Sequence, residues 1–156
     1  MVNEQIVNVF MIQRIQTLYL LAIVALGIAL IFLPVAQLVT DEFHVYELGA
    51  FRHVPLQGMW GLAVATILIP VLAFVDIFLF KKRILQARLN IFLAILCLGY
   101  YGIVFMYIWF AKMNFAAEWH ITFWACIPLI CFILTLGATR RILKDEALVR
   151  AADRIR

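Results

Sequence analysis

The sequence predicts an all-α integral membrane protein: a four-helix bundle with a C-terminal cytoplasmic amphipathic helix, and room for a short β-hairpin in its first outer loop. Three observations predict it. The 156-residue chain is 67% hydrophobic and only 14% charged, with a mean hydropathy of +1.04, whereas soluble domains are near half apolar and a quarter charged. Four apolar segments are each long enough to cross a hydrocarbon core, which takes about 20 helical residues. Basic residues crowd into the connections on one side of those segments.

Residues 1–16 read as an N-terminal cytoplasmic segment. Its first ten residues, "MVNEQIVNVF", are either a short disordered or interfacial extension or a product of start-site choice, because Met11 is itself a natural chain start with Arg14 close behind. The first span runs over 17–38, "TLYLLAIVALGIALIFLPVAQL". It is too long for a signal-peptide core and lacks a convincing small-x-small cleavage site, so it reads as an uncleaved anchor. The second span covers 59–80, the third 89–111 and the fourth 121–139. None alternates apolar and polar residues as barrel strands do, so all four read as helices. Between the first two spans, "FHVYEL" does alternate and is bounded by Gly49, the signature of a strand or hairpin.

Arg14, Lys81, Lys82, Arg83, Arg88 and the six basic residues after the fourth span fall on one side; only Arg52 and Lys112 fall on the other. The positive-inside rule then places both termini in the cytoplasm. Trp60, Trp109, Trp119 and Trp124 all lie near the opposite, outer interface.

Asp76 is the sole ionisable residue well inside a span. Intramembrane carboxylates are expensive and are functional candidates by default. A structural pair with Arg14, Arg88 or Arg140 is the first expectation, and a proton- or cation-linked role the sharper one. Pro70 and Pro128 each remove an amide donor inside a span, which predicts packing kinks. Ala25 with Ala29, Gly61 with Ala65, and Gly99 with Gly102 suit close helix contact, within the bundle or with other proteins. Cys97, Cys126 and Cys131 lack redox spacing and read as small packing residues. His44, Glu47, His53, Glu118 and His120 share the outer side, but without metal-ligand spacing they read as solvated loop polarity. No cofactor is implied.

Residues 140–156 form the tail, "RRILKDEALVRAADRIR". At 100° per residue, Ala147, Leu148, Ala151, Ala152 and Ile155 make one stripe about 140° wide. Glu146 and Arg150 are spaced i, i+4 on the other face, worth about 0.2–0.5 kcal/mol. Six basic and three acidic residues are too mixed in sign for a nucleic-acid surface. An alanine-rich stripe is also poor in the large side chains of a membrane-surface helix. Docking on protein, through the stripe and Arg150, fits best.

"MIQRIQTLYLLAI" at Met11, "FLFKKRILQARLNIFLA" between the second and third spans and "KDEALVRAADRIR" at Lys144 resemble a family of small four-span membrane proteins of the Bacteroidota, classed only as a domain of unknown function. The resemblance implies four helices and a bacterial inner-membrane location. It supplies no activity and no catalytic residues, and it leaves residues 1–10 outside its pattern.

These readings converge on a non-catalytic accessory or structural subunit of a larger inner-membrane complex, of export or respiratory type. Its partners would be the lipid bilayer and other inner-membrane subunits; neither nucleic acid nor a small-molecule substrate is indicated. The alternative is a small proton- or cation-linked transporter or channel using Asp76. Two features oppose it: the first span carries no ionisable residue, and the charge bias is too strong for a dual-topology form. An embedded enzyme is disfavoured because no pair of catalytic groups is visible.

Overall fold

In a computed structural model of the chain, the backbone is described for residues 2–39, 44–51, 60–79, 82–115 and 118–153, and side chains for 16–39, 44–51, 60–79, 82–113, 118–144 and 146–147. The elements in chain order are α1 (Val2–Phe32), β1 (Ala36–Val39), β2 (Val45–Leu48), α2 (Trp60–Phe78), α3 (Arg83–Phe115), β3 (Glu118–Ile121), a 3₁₀ turn (Phe123–Cys126) and α4 (Ile127–Asp153). α1 packs on α2 and α4, and α3 packs on the same two helices, so the four close a ring. Its core is lined by Leu20, Ile23, Leu62, Ile69, Leu93, Cys97, Tyr100 and Cys131, all at most 1% exposed. Large apolar side chains also face outward from every helix, among them Leu18, Phe74, Phe105 and Ile133.

Among the described residues, three helical stretches are long and apolar enough to cross a membrane: Trp60–Phe78, Arg83–Met113 and Phe123–Lys144. The described apolar part of α1, Gln16–Phe32, is shorter. At 1.5 Å per residue its 17 residues rise about 25 Å.

The first span was expected to reach residue 38, but helix stops at Phe32. Pro34 explains the difference. It has no amide to donate, and its ring disfavours helical backbone at Leu33. The last helical-type bond here runs from the Leu33 N–H to the Ala29 carbonyl, and the chain then turns into β1. At its other end α1 extends back to Val2, so residues 2–16 are helical and continuous with the apolar stretch.

The expected hairpin is present as β1 and β2, paired antiparallel with Ala36 opposite Leu48 and Leu38 opposite Tyr46. The all-α expectation is corrected by a third strand: β3 pairs antiparallel with the other edge of β1, setting Ala36 opposite Ile121. The sheet order is β2-β1-β3. Ala36, Leu38 and Leu48 are buried in the same core as the helices, so one face of the sheet caps the bundle. Alternation along β1 decides which face that is.

The last residue of β3, Ile121, and the 3₁₀ turn fall within the stretch expected to be the fourth span, so α4 starts at Ile127 rather than Ile121. Pro128 therefore sits in the first turn of α4, where a missing amide costs little, and not at a mid-span kink. The Trp124 carbonyl, four residues before Pro128, accepts the Ile127 N–H. One turn on, the Tyr101 hydroxyl of α3 donates to the Ala125 carbonyl at 2.6 Å and accepts the Leu129 N–H at 3.0 Å. It stands between the two groups that an i→i−4 bond would have joined. Pro70, by contrast, is interior to α2 and fully packed.

Candidate functional site

The polar groups inside the bundle gather toward the end that carries the basic turn. Asp76 lies in the last turn of α2 and is fully buried. Its partner is Asn90 of α3, also fully buried, whose Nδ2 donates to Asp76 Oδ2 at 2.6 Å. Gln86, one turn earlier on α3, donates from Nε2 to the Asp76 backbone carbonyl at 3.2 Å. α2 and α3 are joined by a short turn in which the Lys82 N–H bonds the Leu79 carbonyl, so their facing ends are held in register. Asp76 Oδ1 and Asn90 Oδ1 are buried and without a hydrogen-bond partner.

Among the described residues, Asp76 bonds this amide and not an arginine. Arg88 and Arg140 are exposed. On α3, the helical repeat points Arg88 away from the face shared by Gln86 and Asn90. The Arg14 side chain lies outside the described residues. Asn90 was overlooked because a search for charge passes over a neutral amide; the signal was an asparagine just inside the third apolar segment, in "RLNIFLA".

Farther into the bundle, Thr66 donates to the Leu62 carbonyl at 2.7 Å. The Tyr100 hydroxyl is enclosed without a well-formed hydrogen bond. On α4, Thr135 and Thr139 donate to the carbonyls of Cys131 and Thr135 at 2.6 and 2.9 Å. Such back-bonding satisfies a hydroxyl within its own helix. Cys97 and Cys131 are buried free thiols, as their reading as packing residues requires, whereas Cys126 is exposed.

The small-residue pairs divide. Ala65 is buried, but Ala25, Gly61, Gly99 and Gly102 are exposed. A methyl group at Gly99 or Gly102 would meet nothing within 4 Å. The close helix contact is made instead by Gly27, where a methyl would lie 3.0 Å from Cβ and Cδ of Pro70.

α4 passes without a break from its apolar stretch into the tail as far as Asp153. Arg141 lies over the Tyr19 ring of α1, 5.4 Å from its centroid. Beside it, α3 and α4 leave a cleft of about 380 Å³. Ile84, Ala87, Ile91, Ile142, Leu143 and Ala147 make its apolar wall, with Arg83, Arg88 and Glu146 also lining it. Of the tail residues singled out for docking, Ala147 is exposed and lines this cleft. The side chains of Leu148, Arg150, Ala151 and Ala152, and all of Ile155, lie outside the described residues.

At the sheet end, Gln37 stands opposite both Glu47 and His120, and Val39 opposite Glu118. Among the described residues, no three histidine, cysteine or carboxylate side chains come together as a metal site; His53 lies outside them.

Residues 12–155 match the family described as Domain of unknown function (DUF4293). The chain belongs to that family. The match takes in "IQRIQTLYLLAI" and nearly all of the tail, the segments that carried the resemblance. No curated protein and no solved structure matches the chain. DUF4293 membership brings no assigned activity, so function has to be argued from the geometry.

Proposed function

We propose that this DUF4293 protein is a non-catalytic accessory or structural subunit of a larger inner-membrane protein complex, of export or respiratory type. In this reading all four helices cross the bilayer and both termini are cytoplasmic. The observation that carries it is the outward-facing glycine pair. Gly99 and Gly102 are exposed in the middle of α3, and a methyl added at either would meet nothing within 4 Å among the described residues. Glycine inside a helix costs about 1 kcal/mol relative to alanine in water. Here the bundle gains no close contact in return, while a partner helix could approach the α3 backbone closely.

Two further features support the reading. The exposed Lys82, Arg88, Arg140, Arg141 and Lys144 are all at one end of the bundle, and Trp60, Trp109, Trp119 and Trp124 are all toward the other. That separation follows the positive-inside pattern. The helical tail and the adjoining cleft offer a second surface, apolar within and charged at its margin.

The test is purification in mild detergent with the bound proteins identified by mass spectrometry. Stoichiometric membrane partners are expected, and Gly99→Leu with Gly102→Leu should lose them while the bundle keeps its thermal stability. A lone, monodisperse protein from every detergent tried would remove the proposal. The second reading, a proton- or cation-linked transporter or channel, draws on the burial of Asp76. It would replace the first if liposomes showed a coupled flux that Asp76→Asn abolished.

A further inference from the structure

Asp76 and Asn90 present a chemical mismatch. The amide N–H of Asn90 serves Asp76 Oδ2. Besides the second amide hydrogen, the two side chains keep one carboxylate oxygen and one amide oxygen, both acceptors, both buried and both without a donor among the described residues. Each unmet acceptor in an interior costs about 1–3 kcal/mol, more when the group is charged. Gln86 Nε2 donates to the Asp76 backbone carbonyl and not to either of these oxygens.

Among the described residues, the surrounding charges do not supply the missing partner; the side chains of Arg14 and Lys81 lie outside them. On α3, Arg88 is exposed and Arg83 is partly so, and Lys82 in the preceding turn is exposed. On α4, Arg140, Arg141 and Lys144 are exposed, and Arg141 is stacked on Tyr19 of α1. Thr135 and Thr139 direct their hydroxyl protons to their own helix. Tyr100, on α3, is ten residues from Asn90, about 15 Å along the helix.

A single positive particle resolves both vacant acceptors together. A proton on Asp76 Oδ1 would donate to Asn90 Oδ1, and the acid and amide would then hold each other by two antiparallel hydrogen bonds. A sodium ion, a hard cation held by several oxygen ligands, would take the same two oxygens as two of its ligands. In either case the formal charge of the buried carboxylate is neutralised where it stands, the condition for a charge to persist away from water. We propose that Asp76 and Asn90 form a binding site for one small monovalent cation, a proton or a sodium ion, taken between Asp76 Oδ1 and Asn90 Oδ1. The site stands apart from the docking role, since it lies inside the bundle and needs neither a partner nor a conduction path.

The test uses the full chain in detergent. Infrared spectra of wild type and Asp76→Asn would be compared for the C=O stretch of a protonated carboxyl. Thermal melts would be compared in sodium chloride and in choline chloride at equal ionic strength. Occupancy by a proton gives a carboxyl band that Asp76→Asn lacks, with the same Tm in both salts. Occupancy by sodium gives no such band but a Tm that rises as sodium replaces choline, and the rise is absent from Asp76→Asn. Should that variant fail to fold, isotopic labelling of the aspartate carboxyls assigns the band in the wild type, and Asn90→Leu serves as the variant for the salt comparison. An ionised carboxylate with no response to sodium overturns the proposal.

Discussion

Gly27 of α1 lies against the ring of Pro70 in α2, so close that an added methyl would stand 3.0 Å from both Cβ and Cδ of the proline. Two residues that usually weaken helices are thus used as a pair. The proline presents a compact apolar ring without an amide to satisfy, and the glycine opens the space that receives it. Gly27→Ala should destabilise the bundle by about 1–3 kcal/mol, the usual cost of overpacking. Pro70→Ala removes Cδ, so the two changes should be non-additive, with a coupling of about 0.5–3 kcal/mol. Unfolding of the two single variants and the double variant in detergent measures it.

Hydrophobic length made the helices legible, and the alternation of "FHVYEL" made β2 legible. What stayed hidden was where each helix stops being one. Residues 36–38 and Ile121 lie at the ends of apolar stretches that read as membrane-spanning, yet Ala36 and Ile121 pair in neighbouring strands. Pro34 marks the first of those boundaries. The second has no such mark: Pro128, read as a kink, begins a helix instead. For the candidate site, Asp76 could be found by its charge. Asn90 could not, because its importance depends on a contact 14 residues away that a charge inventory does not contain.

The Tyr101 hydroxyl completes the start of α4 by bridging the Ala125 carbonyl and the Leu129 N–H. Tyr101→Phe removes both bonds but leaves the ring in place. The freed carbonyl and N–H can then close part of the gap directly. The net cost should be about 0.5–1.5 kcal/mol, the worth of one hydrogen bond rather than two. Faster amide hydrogen exchange at Leu129 would show that the loss is local.

Cys126 is the one exposed thiol among three free cysteines, and it lies in the 3₁₀ turn beside the sheet. In the proposed orientation, that turn faces outward. A membrane-impermeant maleimide applied to cells with a permeabilised outer membrane but an intact inner membrane should therefore label the wild type and not Cys126→Ala. Labelling that appears only after the inner membrane is broken would reverse the proposed orientation.

The tail separates insertion from docking. Arg140 and Arg141 close the apolar stretch of α4, Ile142 is buried, and Arg141 holds the Tyr19 ring. A chain ending after Lys144 keeps all of these groups. It should insert in the same orientation and melt within a few degrees of the full chain, because the buried side chains described on α4 all lie at or before Ile142. It loses Glu146 and Ala147, which line the cleft beside α3, together with the alanine-rich stripe of Ala147, Leu148, Ala151, Ala152 and Ile155. In mild-detergent purification the truncated chain should come away with its partners reduced at least tenfold, a loss of about 1.4 kcal/mol or more in binding. Restoring the residues with Ala147, Ala151 and Ala152 changed to Glu should fail to rescue, since the charge and sign pattern of the opposite face is kept while the small apolar stripe is not. Full partner recovery by either variant would assign docking to the membrane-embedded face of α3 alone.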